Sequence, residues 1–119
     1  MNSAVVLVVD DEPLIRLSVV DALQEEGLQA LDASAADEAL KVLLAGTDVS
    51  VLLTDVKMPG TMDGLDLVNH VATCWPNIAI IVMSGHAYAD DPRIPASATF
   101  LPKPFSLTQL AKDIRARTH

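Results

Sequence analysis

The stretch VVLVVDDEP, residues 5–13, decides the fold: an unbroken apolar run, mostly β-branched, passes directly into Asp10, Asp11 and Glu12 and then Pro13. A strand with one wet face alternates apolar and polar residues. A run without alternation marks a strand covered on both faces, as strands of parallel sheets are. Pro13 suits a first helical turn, because the N–H it lacks has no partner inside a helix anyway. The stretch therefore reads as buried strand, acidic turn and helix start, the opening of a β-α-β unit.

Working outward, apolar runs at residues 49–54 and 78–83 repeat the pattern, with weaker strands at 28–33 and 98–101. Between them lie stripes of helical period: Ile15, Val19, Ala22 and Leu23; Ala36, Ala39, Leu40 and Leu43; Leu65, Val68, Val71 and Ala72; Leu107, Leu110, Ala111 and Ile114. Ser34 with Asp37 and Ser106 with Gln109 have the spacing of capping boxes, and Gly27, Gly46 and Pro76 serve as stops. Alternating strands and helices demand a parallel sheet with helices on both faces. A fourth helix belongs between Ser84 and Phe100, but Gly85, Pro92 and Pro95 break any long period there, so a shortened or irregular one is expected.

The chain has 119 residues, the length of one domain, and is 50% hydrophobic but only 3% aromatic, so its core is aliphatic. Eight Lys and Arg against sixteen Asp and Glu give a net charge of −8. That balance argues against binding to nucleic acid or to anionic lipid, both of which need a basic face. No apolar run approaches a membrane span, the N-terminus lacks the basic start of a signal peptide, and the lone Cys74 excludes a disulfide framework. A soluble cytoplasmic domain is expected.

Ligands of open α/β sheets bind beyond the carboxyl ends of the strands, where strand order reverses. Asp10 and Asp11 close the first strand, Asp55 the third and Ser84 the fourth, and Lys103 follows the fifth. The order 2-1-3-4-5 would set the first and third strands side by side and gather the three acids. Gathered carboxylates need a counter-charge, and a few oxygen ligands open to water fit Mg²⁺ better than zinc or caged Ca²⁺. A lysine and a hydroxyl at the same spot imply an arriving anion. Together they describe phosphoryl transfer to a carboxylate. Taken singly, each Asp or Ser reads as a turn residue and Lys103 as a solvated charge. The joint placement at four strand ends carries the reading. His70, His86 and His119 are scattered, and Cys74 has no partner at metal-ligand spacing.

With these residues in place, the sequence resembles a response-regulator receiver domain of bacterial two-component signalling along its whole length, in the segments VVLVVDDEP (5–13), LLTDVKMPGTMDGLDLV (52–68), IIVMSG (80–85) and FLPKPF (100–105). The resemblance implies a flavodoxin-like, doubly wound, five-stranded parallel sheet of order 2-1-3-4-5 and a single receiver domain over residues 1–119. It implies that Asp55 is phosphorylated, that Asp11, Asp55 and the backbone carbonyl of Lys57 hold Mg²⁺, and that Asp10 acts mainly through water. Lys103 and Ser84 would each take a phosphoryl oxygen, and Phe100 would be the aromatic switch. Lys57 and His86 would flank the path of attacking water and modulate hydrolysis.

The implied function is a phosphoryl-accepting switch, charged by a histidine kinase or a histidine phosphotransfer protein. It assists its own phosphorylation and dephosphorylation without being a dedicated enzyme. The loop after Asp55 is longer than the family's commoner form, and the switch aromatic is Phe rather than Tyr. The stretch from Ser84 to Lys103 is about three residues short, nearly one helical turn. A monomer is expected, with at most phosphorylation-dependent dimers. A phosphohydrolase with an aspartyl intermediate would want an acid where Lys57 stands. A flavodoxin-like electron carrier would want a phosphate loop in place of Asp10–Asp11–Glu12, with Trp75 and Tyr88 to flank a flavin. A pseudo-receiver would not keep the complete polar set.

Overall fold

A computed structural model of the chain describes residues 4–56, 62–84, 92, 94–102 and 105–118. In chain order these form β1 (Val5–Val9), α1 (Pro13–Glu25), β2 (Gln29–Ala33), α2 (Ala36–Leu44), β3 (Val51–Asp55), α3 (Gly64–Cys74), β4 (Ala79–Ser84), β5 (Thr99–Pro102) and α4 (Leu107–Thr118). The strands make one parallel sheet of order β2-β1-β3-β4-β5. The expected architecture is the one observed.

Each unbroken apolar run serves two cores at once. Because successive strand side chains point to opposite faces, Leu7, Val9, Leu52, Ile80 and Val82 pack with α2 and α3 on one face. Val6, Val8, Val51, Leu53, Ile81 and Met83 pack with α1 and α4 on the other. Burial on both faces is why these runs show no polar alternation.

Helix ends follow the predicted signals with one correction. Pro13 opens α1, and Gly27 and Gly46, at φ +82° and +87°, supply the left-handed turns after α1 and α2. The expected Ser34–Asp37 box does not form. The N-cap of α2 is Ala35, and Ser34 instead donates its hydroxyl to Glu38 Oε2 at 2.7 Å. With a helix start one residue later, Glu38 is the acid within reach of Ser34. The Ser106 hydroxyl accepts from the Gln109 amide N–H at 3.2 Å, while the Gln109 side chain turns forward to Asp113 at 2.8 Å, so half of that box is made. A complete box, Asp63 with Asp66, starts α3.

Between β4 and β5, Pro92 and residues 94–98 lie in turns and bends, closed by the Ala98 N–H on the Pro95 carbonyl at 3.0 Å. There is no helix among these described residues. Residues 87–91, where a short helical turn is expected, lie outside the described residues. Ile94 and Ala98 pack against the core on the α2–α3 face.

Candidate functional site

Strand order creates the site. β1 lies between β2 and β3, with Val9 in register with both Ala33 and Thr54, so the turn after β1 meets the end of β3. Asp10 is fully buried; its amide donates to the Ala33 carbonyl at 3.2 Å, and its Oδ1 accepts from the Glu12 N–H at 2.9 Å. The turn-residue reading of Asp10 is therefore also true. Asp11 is exposed. Asp55, the last residue of β3, is half-buried and accepts the Val56 N–H on Oδ1 at 2.7 Å.

One carboxylate oxygen from each of Asp10, Asp11 and Asp55 lies within 4.8 Å of the other two. At that separation, and an effective dielectric near 20, the Asp10–Asp55 pair alone repels by about 3 kcal/mol. The donor set is all oxygen, spans a buried, a half-buried and an exposed residue, and leaves one side to water. Those features fit a hard divalent cation that keeps part of its hydration, as Mg²⁺ does. Asp10, Asp11 and Asp55 are the residues that would hold it.

The register carries Ser84 to the same end of the sheet. Asp55 pairs with Met83, one residue before Ser84, and Ser84 pairs with Pro102, one residue before Lys103. Lys103, Lys57 and His86 themselves lie outside the described residues. Phe100, on β5, pairs with Val82 of β4, is half-buried, and packs against the α2–α3 core.

Two residues at this end carry no signal that the sequence reading used. Arg16, in the first turn of α1, donates through Nη1 to the Asp10 carbonyl at 2.8 Å and through Nε to Asp32 Oδ2 at 2.9 Å. Gly64 opens α3, with its N–H on the Val56 carbonyl at 2.8 Å, and a Cβ there would overlap the Asp55 carbonyl oxygen. The helix thus lies directly against the backbone that presents Asp55. Arginine in a first helical turn reads as a solvated cation, and the glycine reads as loop freedom. Only the cross-chain distances reveal either role.

Of the two rings the flavin-binding alternative would use, Tyr88 lies outside the described residues and Trp75 stands away from the acids. Trp75 lines a cavity of about 250 Å³ together with Val49 and Ile78, the residues leading into β3 and β4, so it stands at the opposite end of those strands from Asp55.

A sequence model described as the response regulator receiver domain matches residues 6–115. The sensor kinase CckA of Brucella abortus is 41% identical over 96% of this chain, which covers 12% of that protein. The DNA-binding transcriptional regulator NtrC of Escherichia coli is 34% identical over 100% of this chain, which covers 26% of it. The chain thus spans a minor part of the length of these relatives. Among solved structures, the response regulator TrrA of Thermotoga maritima, in complex with Mg²⁺–BeF, superposes with a TM-score of 0.85 at 29% identity, covering 95% of this chain and 97% of that one.

Proposed function

Because the chain belongs to the response regulator receiver domain family of two-component signalling, we propose that Asp55 is its phosphoryl acceptor and that acceptance requires Mg²⁺. The observation that carries the proposal is the convergence of the Asp10, Asp11 and Asp55 carboxylates from adjacent strands. Carboxylates gathered in a partly buried crevice repel one another, and a bound cation would offset that repulsion. Residues 1–119 are read as one such domain, working in the cytoplasm; among the described residues no helix is long and apolar enough to cross a membrane.

An Asp55 carboxylate oxygen attacks the phosphorus of a phosphohistidine on a histidine kinase or a histidine phosphotransfer protein. The P–O bond forms as the P–N bond breaks, and the electron pair leaves with the imidazole. Mg²⁺, when bound, would supply positive charge that offsets the acids and the phosphoryl oxygens. Asp11, Asp55 and the Lys57 carbonyl would ligate it, with Asp10 acting mainly through water. Lys103 pairs with one phosphoryl oxygen and Ser84 donates to another, drawing the end of β4 inward. Phe100 then moves into the space vacated, a population shift between two packings of one fold. Hydrolysis of the acyl phosphate resets the switch, so the chain assists both reactions on itself and turns over no separate substrate.

Incubation with acetyl phosphate and Mg²⁺, followed by intact-mass measurement, tests the assignment. Wild type gains one phosphoryl group, and neither Asp55→Ala nor wild type with excess EDTA does. Phosphoryl gain by Asp55→Ala would show that the acceptor lies elsewhere.

A further inference from the structure

We infer that Arg16 is a positioning residue for the acidic site: its guanidinium, held between the Asp10 carbonyl and Asp32, fixes the turn that presents Asp10 and Asp11 to a cation. The inference rests on reading that site as a Mg²⁺-dependent phosphoryl acceptor. The pair with Asp32 would contribute little alone, since the Asp32 side chain is 46% exposed and surface ion pairs are weak. The Arg16 side chain, however, is only 16% exposed, and its second bond ends on the backbone of a fully buried acid.

A planar guanidinium offers its N–H groups in fixed directions, so two acceptors held at 2.8 and 2.9 Å define its orientation and, in return, theirs. The turn is anchored on every side. The Asp10 amide is tied to Ala33 at the end of β2, and the Asp10 carbonyl is tied through Arg16 to Asp32 on the same strand. The Glu12 N–H is held by the Asp10 carboxylate, and the Glu12 carbonyl accepts the Arg16 N–H at 2.9 Å. Asp11 stands between these anchors, so the path of its backbone, and the direction in which its side chain leaves it, follow from theirs. Groups that orient a ligand without touching the ion change metal affinity by roughly 10–100-fold when removed. A lysine ammonium is a compact charge on a flexible stem and cannot hold both acceptors in one rigid plane.

The experiment compares wild type with Arg16→Ala, Arg16→Lys and Asp32→Asn. Calorimetric titration with MgCl₂ alone gives the dissociation constant, amide hydrogen exchange of the metal-free proteins reads the Asp11 and Glu12 N–H groups, and thermal melts track stability. Arg16→Ala is expected to weaken Mg²⁺ binding about 10-fold or more and to speed exchange at Glu12. Arg16→Lys should recover part of both, and Asp32→Asn should shift both in the same direction by about threefold. If Arg16→Ala does not fold, the other two variants carry the comparison. A lowered melting temperature with unchanged Mg²⁺ affinity and unchanged exchange would overturn the inference. A wild type that binds no Mg²⁺ would instead overturn the reading of the site. In that case the exchange rates of the metal-free proteins still decide whether Arg16 holds the turn.

Discussion

At Asp55, the proposed acceptor, the side chain would carry the chemistry and the main chain carries the constraint. Gly64 lies so close to the Asp55 carbonyl that a single added carbon must displace one of them. Gly64→Ala is therefore expected to cost about 3 kcal/mol, at the upper end for forced overpacking, because the obstacle is backbone on both sides. A urea titration should show a lower midpoint with an unchanged slope; a midpoint within experimental error of wild type would refute the close contact. If Lys57 and His86 flank the acceptor as the family resemblance implies, they bear on the lifetime of the phosphorylated state. Two bulky side chains in that place would hinder in-line attack more than they supply a base. The Lys57→Ala, His86→Ala double variant is expected to lose phosphate faster than wild type, followed by intact mass over time. Slower loss would mean that one of the two orients the water.

Among the elements, α1 does most to define the surroundings of the site. It leaves the acidic turn at Pro13, buries Val19 and Leu23 against the sheet, and points Leu14, 81% exposed, and Leu17, 52% exposed, at solvent one turn apart. Any protein that delivers a phosphoryl group to Asp55 must approach this end of the sheet, and an exposed apolar pair beside the acids is suited to an apolar helix face of the donor. Leu14→Asp is expected to slow phosphotransfer from a protein donor about 10-fold while leaving phosphorylation by acetyl phosphate within twofold of wild type. Parallel time courses with the two donors check this, and an equal effect on both would place Leu14 in the chemistry instead. The connection from β4 to β5 follows the opposite logic. Pro92 and Pro95 remove backbone donors, its described residues turn without forming a helix, and Ile94 and Ala98 face inward.

For the whole molecule, that short connection bears on assembly. A stable dimer needs on the order of 1,000 Å² of complementary surface, usually with an apolar centre. Here the apolar residues described next to β5 are spent on the chain's own core, and a net charge of −8 opposes self-association. The domain is expected to remain monomeric when activated with beryllofluoride. Sedimentation velocity at micromolar protein checks this, and a tight dimer would overturn the expectation.

The order of elements, the doubly covered sheet and the acidic trio were legible in the sequence, because burial leaves its period in the residue types. Residues 4–9, short, largely β-branched and without a polar position, read as a strand covered on both faces, and Asp10, Asp11 and Asp55 stand at strand ends in the plain reading of the chain. Ser84 was legible as a landmark for the same reason, and the register of β4 with β5 sets it beside Pro102 at that end. Tertiary structure alone decided the rest. The start of α2 at Ala36 put Glu38, not Asp37, opposite Ser34. The grip of Arg16 on both Asp10 and Asp32 exists only because β1 and β2 are neighbours. The contact of Gly64 with Asp55 exists only because α3 begins against the end of β3. Periodicity records whether a residue is buried. Which distant backbone it meets depends on strand order and helix placement, and these are set by the packing of the whole sheet rather than by any local run of residues.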